Sequence, residues 1–481
     1  MSEAPLTEDL TLRLRATRKI LKSIQQEHLL EHAHGCSVES LEALLDHCDE
    51  IDLPSANAFM KKATDSDFQA PPLDSITPAK IISRHPKDEE ELRTIGQALI
   101  DEGKVAAFTV AGGQGTRLGW NGPKGSFPAA PLTGKPLFRL FAEQILAAGQ
   151  RAGRTLPWYI MTSPINDTDT RAFFRDNNYF GLDRTDIFMF PQGVFPSFDD
   201  DGKFMLASPE RIAVNPDGHG GSLRALRNSG AIEDMQARGI EQISYFQVDN
   251  PSVRALDPLF LGLHVDAQRS SGEMSSKMIP KNSPGEKVGV FCSVDDRTCV
   301  IEYSDLPEEL AQATDESDDL RFIAGSIAIH ALSVDFVDRI TAKESTDSLP
   351  LHKAHKKVPY YLPGEDRIVS PKTPNATKLE MFIFDAIPLA GRSLVYETDR
   401  VEEFAPIKNS EGVDSAESSH QLQLERSARW LEIAGHEFPR GKDGQRLADV
   451  EISALTAMEP ADLKTSSDVP ELISAGDQLA F

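Results

Sequence analysis

From about residue 95 to about residue 390, short apolar runs alternate with segments of helical periodicity. No other feature constrains the fold as strongly, because strands joined by crossover helices lie parallel in one sheet with helices on its faces. The strand candidates are "VAAFTV" (105–110), "WYIMT" (158–162), "ISYFQV" (243–248) and "MFIFD" (381–385). The first leads into a glycine-rich loop, "AGGQGTRLG". A helix opened by Pro136 follows, with Leu137, Phe138, Phe141, Ile145 and Leu146 at helical spacing. The expected class is α/β with a largely parallel sheet.

The flanks read differently. Roughly the first 60 residues are helical in pattern. Ser37 is placed to cap a helix in which Leu41, Leu44, Leu45 and Cys48 share one face, and Gly35 to end the helix before it. Between Asp65 and about His85 the chain is rich in proline ("FQAPPLDSITPAK"), as expected of an ordered linker laid over a neighbouring domain. "ATDESDDL" reads as a solvated acidic loop or helix start. Beyond about 391 acids outnumber bases and no strong periodicity persists. The expected division is a helical region with linker over 1–95, a central domain over 96–390 and a small C-terminal domain over 391–481.

A chain of 481 residues, 40% apolar and 26% charged, is of ordinary soluble composition. Its formal charge of −25 and lack of a dense basic block argue against a nucleic-acid partner. An acidic protein that binds anions must gather its cations in one place, so the Lys and Arg residues beside the glycines are informative. Cys36, Cys48, Cys292 and Cys299 form no CxxC pair and read as reduced, packed thiols. No signal-peptide core or membrane-length apolar run is present, so a soluble, cytoplasmic protein without a membrane partner is expected.

Gly112, Gly113 and Gly115 let backbone approach an anion closely, and a loop leaving a strand's C-terminal end lies where α/β sheets bind ligands. The dinucleotide pattern GxGxxG fails at Leu118, and no GxxxxGK[ST] follows. Instead come Arg117 and, within "GPKG", Lys124. Several cationic donors on one polyphosphate suit the stabilisation of a departing pyrophosphate; a tight turn with surface cations is the other reading. Asp249 ends the strand "YFQVD", where it can hold Mg²⁺ or merely cap a helix. "NPDGHGG" (215–221) is a second glycine loop, a ligand contact or a plain turn. No Ser-His-Asp or paired-carboxylate arrangement stands out, which favours phosphoryl or nucleotidyl transfer by positioning and charge neutralisation.

The blocks "AGGQGTRLG…GPKG", "PWYIMTS", "FFRDNNYFGL", "FPQG", "PDGHGG", "VDN", "VGVFC", "IEYSD", "PNATKLEMFIFD" and "FAPIKN" occur in this order between about Ile95 and Asn409. Together they resemble the eukaryotic-type UDP-sugar pyrophosphorylases, most closely the UDP-N-acetylglucosamine group. The resemblance implies a Rossmann-like, GT-A-like nucleotidyltransferase domain with a mainly parallel mixed sheet and flanking N- and C-terminal parts. It also implies a Mg²⁺-dependent reaction of UTP with a hexose 1-phosphate, giving a UDP-sugar and pyrophosphate, in a monomer or weak homo-oligomer. By the same resemblance, Ala111, Gly112, Gly113, Gly115, Thr116 and Arg117 line the UTP phosphates and Lys124 binds the triphosphate. Gln192 and Gly218 read uracil, Asp249 ligates Mg²⁺ and Lys378 contacts UTP phosphate. Gly289 and Glu302 face the sugar hydroxyls and Lys408 the sugar phosphate. Arg117, Lys124 and Lys408 are thus the expected catalytic cations.

Two positions depart from the acetylglucosamine pattern. His219 stands where "PDGNGG" has Asn, and Ser326, in "IAGSIA", stands where "NAGNIA" has its second Asn. Both belong to the sugar end by the resemblance, although His219 also reads as a packed loop residue. Enzymes using glucose or galactose 1-phosphate often carry GHG at the first position. N-acetylglucosamine 1-phosphate is the expected substrate, with glucose 1-phosphate or a broad hexose range as the alternative. A nicotinamide oxidoreductase is opposed by Leu118 and by the missing acid about 20 residues on. A non-catalytic nucleotide-sugar-binding protein would have little use for the cations at 117, 124 and 408.

Overall fold

The computed structural model describes residues 6–65, 72–342 and 349–481. Contacts group the chain into two compact units. A helical unit comprises Met1–Ala70, Gly193–Gly221 and Leu349–Phe382, and a sheet unit comprises Pro71–Gln192, Ser222–Ser348 and Ile383–Phe481. These units gather segments distant in sequence, so they do not coincide with linear boundaries at 95 and 390.

The sheet unit is built on eleven strands. They are β1 Ile76–Pro78, β2 Ile81–Ile82, β3 Val105–Val110, β4 Trp158–Thr162, β5 Ile187–Pro191, β6 Gln242–Gln247, β7 Met274–Pro280, β8 Val290–Val294, β9 Arg297–Ile301, β10 Ala324–Ser333 and β11 Leu394–Glu397. The main path runs β2-β11-β7-β10-β6-β3-β4-β5. Its neighbours are parallel except at β10, which runs antiparallel to both β7 and β6. This mainly parallel mixed sheet agrees with the α/β expectation. β8 extends from β10 and pairs with β9 and β1. The described part of the proline-rich stretch thus enters this unit as β1 and β2; residues 66–71 lie outside the described residues.

Parallel strands with both faces covered read as unbroken apolar runs, and β3 and β4 do so because they are buried almost throughout. Helices α4 Glu89–Asp101, α5 Leu137–Ala152 and α6 Asp167–Asp176 flank this part of the chain. α5 starts directly after Pro136 and buries Leu137, Phe138, Phe141 and Ile145 completely or nearly so, while Leu146 is half-buried. Phe138, Trp158 and Phe174 meet edge-on or tilted at 4.9–6.2 Å, and the Trp158 Nε1–H is satisfied by Thr109 Oγ1 at 2.8 Å. "ATDESDDL" is a loop, folded around Asp315, whose carboxylate accepts from Ser317 N and Asp319 N.

The helical unit holds α1 Glu8–Ser23, α2 Val38–Glu50 and α3 Leu53–Asp65, with a 3₁₀ segment Glu27–Gly35 between the first two. Ser37 caps α2 by accepting from Ser40 N, and Leu41, Leu44, Leu45 and Cys48 are buried as the spacing predicts. Their partners come from far along the chain: Phe195, Phe204, Leu379 and Met381 belong to the same apolar core. All four cysteines are free; Cys48 and Cys292 are buried, Cys36 and Cys299 half-buried.

Two readings need correction. "MFIFD" is not a strand: the strand is Ala376–Glu380, paired with His352–Lys356, and a 3₁₀ segment begins at Ile383. Met381 leaves the ladder because its N–H donates to Asp217 O and its carbonyl accepts from Gly220 N, both at 2.8 Å. The C-terminal part also carries a long helix, α7 Ala416–Ala434, capped by Ser415 at its start and Gly435 at its end. Its buried face includes Ser419, Ser427 and Ala428 beside Leu424, Trp430 and Leu431, so the apolar period is diluted.

Candidate active site

β3 ends in the glycine loop, and the loop is fixed from behind. Ala111 N donates to Met161 O at 2.7 Å, continuing the β3–β4 ladder. Asn166, fully buried, donates through Nδ2 to Ala111 O (3.0 Å) and Gly113 O (3.1 Å) and accepts from Ser163 N (2.8 Å). Gly115 N to Gly122 O and Lys124 N to Gly113 O, each 3.0 Å, close the loop on itself. The carbonyls of Ala111 and Gly113 are therefore occupied. Among the described residues no acceptor takes the N–H of Gly112 or Gly113. Unclaimed adjacent N–H groups form an anion-binding concavity. A Cβ at Gly112 would lie 2.9 Å from Gln192 Oε1, so the Gln192 amide packs on this loop. Gly115 makes room for Trp120, and Thr116 and Arg117 lie exposed in the short turn that follows.

No sequence signal marked Asn166. Asn166→Ala should weaken UTP binding on the order of ten- to a hundred-fold, because it frees two carbonyls that define the loop. Calorimetric titration with UTP measures this, and unchanged affinity would remove Asn166 from the account.

Lys124 sits on a 3₁₀ turn anchored where Gly125 meets Phe138; a Cβ on Gly125 would come within 2.2 Å of that ring. Its stem crosses Gly113 and its Nζ lies 3.5 Å from Asp249 Oδ2, both side chains about 15% exposed. Asp249 follows β6, beside β3 in the sheet. Arg117 has no carboxylate partner among the described residues.

The Lys408 loop is tied to the same strand end. Ile407 N donates to Asp249 O at 2.8 Å. Buried Asn250 donates to Glu403 O (2.6 Å) and accepts from Ala405 N (3.0 Å) and Ser252 N (3.2 Å). Glu403 in turn is held with Asp257 by Lys277, which is wholly buried, with Nζ 2.6–2.8 Å from both carboxylates. Asn250 and Lys277 were not among the expected site residues. Lys408 Nζ lies 3.9 Å from Asp414 Oδ2. Burial raises the Asp414 carboxyl, Lys408 opposes this and Asp249 adds to it.

A small cavity of about 60 Å³ is lined by Asp249, Lys408, Ser326 and Ala328. β10 bulges here: Ser276 pairs with His330 but Met278 with Ser326, and Ala328 takes a left-handed φ of 54°. Such strain in a non-glycine residue concentrates at functional sites. Ser326 N donates to Gly289 O at 2.8 Å, and a Cβ on Gly289 would lie 3.7 Å from Glu302 Oε1. Gly289, Glu302 and Ser326 therefore share one corner of the sheet unit.

Gly218, His219 and Lys378 belong to the helical unit. Gly218 has φ 86°, and a Cβ there would meet Met381 O at 2.4 Å. The His219 ring stacks on Phe382 with centroids 5.4 Å apart. Burial, and secondarily His352, push its imidazole down to about 4, so it is neutral at pH 7. Lys378 lies half-buried opposite Ala354 on the Ala376–Glu380 strand.

Among the described residues no group of three or more His, Cys, Asp or Glu side chains is arranged to hold a metal, and no helix is long and apolar enough to cross a membrane. Asp249 can offer one carboxylate: Oδ2 faces Lys124, and Oδ1 accepts no hydrogen bond among the described residues. That donor fits Mg²⁺, which takes one or two protein carboxylates and completes its shell with phosphate oxygens and water.

Residues 55–432 match the family described as UTP–glucose-1-phosphate uridylyltransferase. The UDP-N-acetylglucosamine diphosphorylase 2 of Arabidopsis thaliana is 35% identical over 437 residues, covering 86% of this chain and 84% of that protein. The UDP-N-acetylglucosamine pyrophosphorylase of Saccharomyces cerevisiae is 35% identical over 421 residues, covering 85% and 86%. The crystal structure of the uridine diphosphate N-acetylglucosamine pyrophosphorylase from Trypanosoma brucei superposes with a TM-score of 0.80 at 24% identity, over 96% of this chain and 95% of that one, a likeness of fold. With the match spanning the glycine loop, Asp249 and Lys408, the chain belongs to the UTP–glucose-1-phosphate uridylyltransferase family.

Proposed function

We propose that this protein joins UTP to N-acetylglucosamine 1-phosphate, releasing UDP-N-acetylglucosamine and pyrophosphate, in the cytoplasm. The observation that carries the reading is the convergence of the glycine loop, Lys124, Asp249 and the Lys408–Ser326 cavity on adjoining strand ends. A phosphate oxygen of the sugar phosphate bonds to the α-phosphorus of UTP, the bond from that phosphorus to the bridging oxygen breaks, and the electron pair leaves with pyrophosphate. The nucleophile has a second pKa of about 6 and is already ionised, so no general base is required. The Gly112 and Gly113 N–H groups and the cations of Lys124 and Arg117 neutralise the charge gathering on the leaving group. Lys408 holds the sugar phosphate in line for attack. Asp249 would hold Mg²⁺, which when bound supplies further neutralisation of the phosphate oxygens. Gln192 receives uracil, and Gly289, Glu302 and Ser326 the sugar.

His219 and Ser326 favour a second reading, in which an unacetylated hexose 1-phosphate is accepted. The test is pyrophosphate release with UTP and the 1-phosphates of N-acetylglucosamine, N-acetylgalactosamine, glucose and galactose. Release with none of them would sink the assignment. In the same assay His219→Asn should shift the ratio of kcat/KM towards N-acetylated substrates by about tenfold, the worth of one well-placed polar contact. An unchanged ratio would return His219 to a packing role.

A further inference from the structure

Arg400, Phe404 and Lys408 follow one another at intervals of four residues, the first on a short helix, Arg400–Glu403, and the last on the loop proposed to hold the sugar phosphate. Phe404 is buried and serves both cations: the Arg400 guanidinium carbon lies 5.5 Å from its ring centroid and Lys408 Nζ 5.7 Å. A cation within about 6 Å of a ring face is attracted by the ring quadrupole. Phe404 also lines the small cavity beside Ser326 and Asp249. The short helix is fixed at both ends, since Asp399 caps it by accepting from Val401 N at 2.9 Å and Asn250 holds Glu403 O.

Arg400 reaches the loop between β7 and β8. Its Nη2 donates to Glu286 Oε1 at 2.6 Å and lies 3.4 Å from Pro280 O. Glu286 Oε2 accepts from Asn282 N at 2.7 Å, so one carboxylate ties the guanidinium to the loop backbone. The two side chains are 22% and 18% exposed, and solvent screens such a pair less than one on the open surface. Val288 N donates to Glu286 O at 3.0 Å, and the next residue is Gly289, whose carbonyl accepts from Ser326 N. Asp414 lies in the same neighbourhood: beyond burial, the charges acting on its carboxyl are Lys408, Asp249, Arg400 and Glu286.

One guanidinium thus links the Lys408 loop to the Gly289 loop, two segments more than 100 residues apart in sequence. Such a link matters because a misplacement of about 1 Å at a reacting group can cost about 10²-fold in rate. We propose that Arg400 is a positioning residue for the sugar 1-phosphate: through Glu286 it holds the Gly289 loop at a fixed distance from Lys408, with Phe404 as their common seat. The inference rests on the proposed function, which puts the sugar at Gly289 and its phosphate at Lys408. No hydrogen bond or ion pair among the described residues joins Arg400 or Glu286 to the glycine loop or Lys124, so the grip on UTP is independent of this pair.

The test is steady-state pyrophosphate release by the full chain with UTP and N-acetylglucosamine 1-phosphate, or whichever hexose 1-phosphate the wild type uses. Arg400→Met keeps an apolar stem over Phe404 and removes the charge. It should raise KM for the sugar phosphate about tenfold or more, while KM for UTP stays within about twofold. Glu286→Gln should act in the same direction, because an amide oxygen can accept from Arg400 or from Asn282 N while its NH₂ faces the other donor. That variant carries the test if Arg400→Met does not fold. The double variant should raise KM for the sugar phosphate no further than the larger single change, the mark of two residues acting through one contact. Arg400→Lys, which keeps a cation, should recover part of the loss. An unchanged KM for the sugar phosphate, an equal rise for UTP, or additive effects of the two substitutions would each overturn the inference, while wild-type turnover leaves the proposed function standing. No release by the wild type with any hexose 1-phosphate would remove both.

Discussion

Lys124→Ala is expected to lower kcat for UDP-sugar formation by on the order of 10²–10³, the usual cost of removing one preorganised charge from a developing oxyanion. Affinity for the UDP-sugar should fall far less, because the β- and γ-phosphates proposed to engage Lys124 have departed from that ligand. The geometry supports this split. Lys124 is held by its own 3₁₀ turn, its stem lies across Gly113, and its only ion-pair contact among the described residues is Asp249 at 3.5 Å, too long for a tight pair. Such a cation is free to engage a phosphate without first breaking a strong internal bond. Stopped-flow pyrophosphate release and UDP-sugar titration measure the two quantities. Equal losses in both would make Lys124 a binding residue and not a leaving-group cation.

Lys277→Met should cost about 3–5 kcal/mol of stability, the range for removing one partner from a buried ionic cluster. Asp257 and Glu403 would remain as two buried carboxylates, and Thr398 Oγ1, which donates to Glu403 at 2.9 Å, cannot replace an ammonium. Burial alone would raise the Asp257 carboxyl; Lys277 and Arg254 outweigh it and hold it at about 2. A carboxyl depressed below its unfolded value of about 3.9 stabilises the native wild type above that pH, and the contribution is lost as pH falls towards about 2. In the variant Asp257 loses Lys277, the largest charge opposing its burial, and its carboxyl would rise, so protonation relieves part of the defect. The deficit in urea midpoint against wild type should therefore be largest at neutral pH and shrink as pH is lowered towards about 4. Midpoints that coincide at neutral pH would dismiss the cluster as a stabilising element.

How much of this was legible depended on how local the cause was. "VAAFTV" and "WYIMT" are strands with the expected ends, and "ISYFQV" is displaced by one residue to Gln242–Gln247, because buried parallel strands announce themselves by unbroken apolar runs. "MFIFD" has the same look but lost its ladder to the carbonyl of Asp217, over 160 residues earlier, which no window of sequence reveals. α7 escaped because serines and alanines occupy much of its buried face. Within the candidate site, the cations proposed to react, Arg117, Lys124 and Lys408, stood out as residue types beside glycines and in the family's motifs. Asn166, Asn250 and Lys277 did not, since each acts by bridging backbone or charge brought together only by folding.

The helical unit has a consequence for how the protein is made. α1, α2 and α3 bury their apolar faces against Phe195, Phe204, Leu379 and Met381, so these helices, synthesised earlier, wait for residues synthesised later. At ribosomal speeds of about 5–20 residues per second, roughly 15–60 s separate the completion of α3 from the arrival of Met381. During that interval the three amphipathic helices are a nascent, uncovered surface, the kind that chaperones bind and that aggregation exploits.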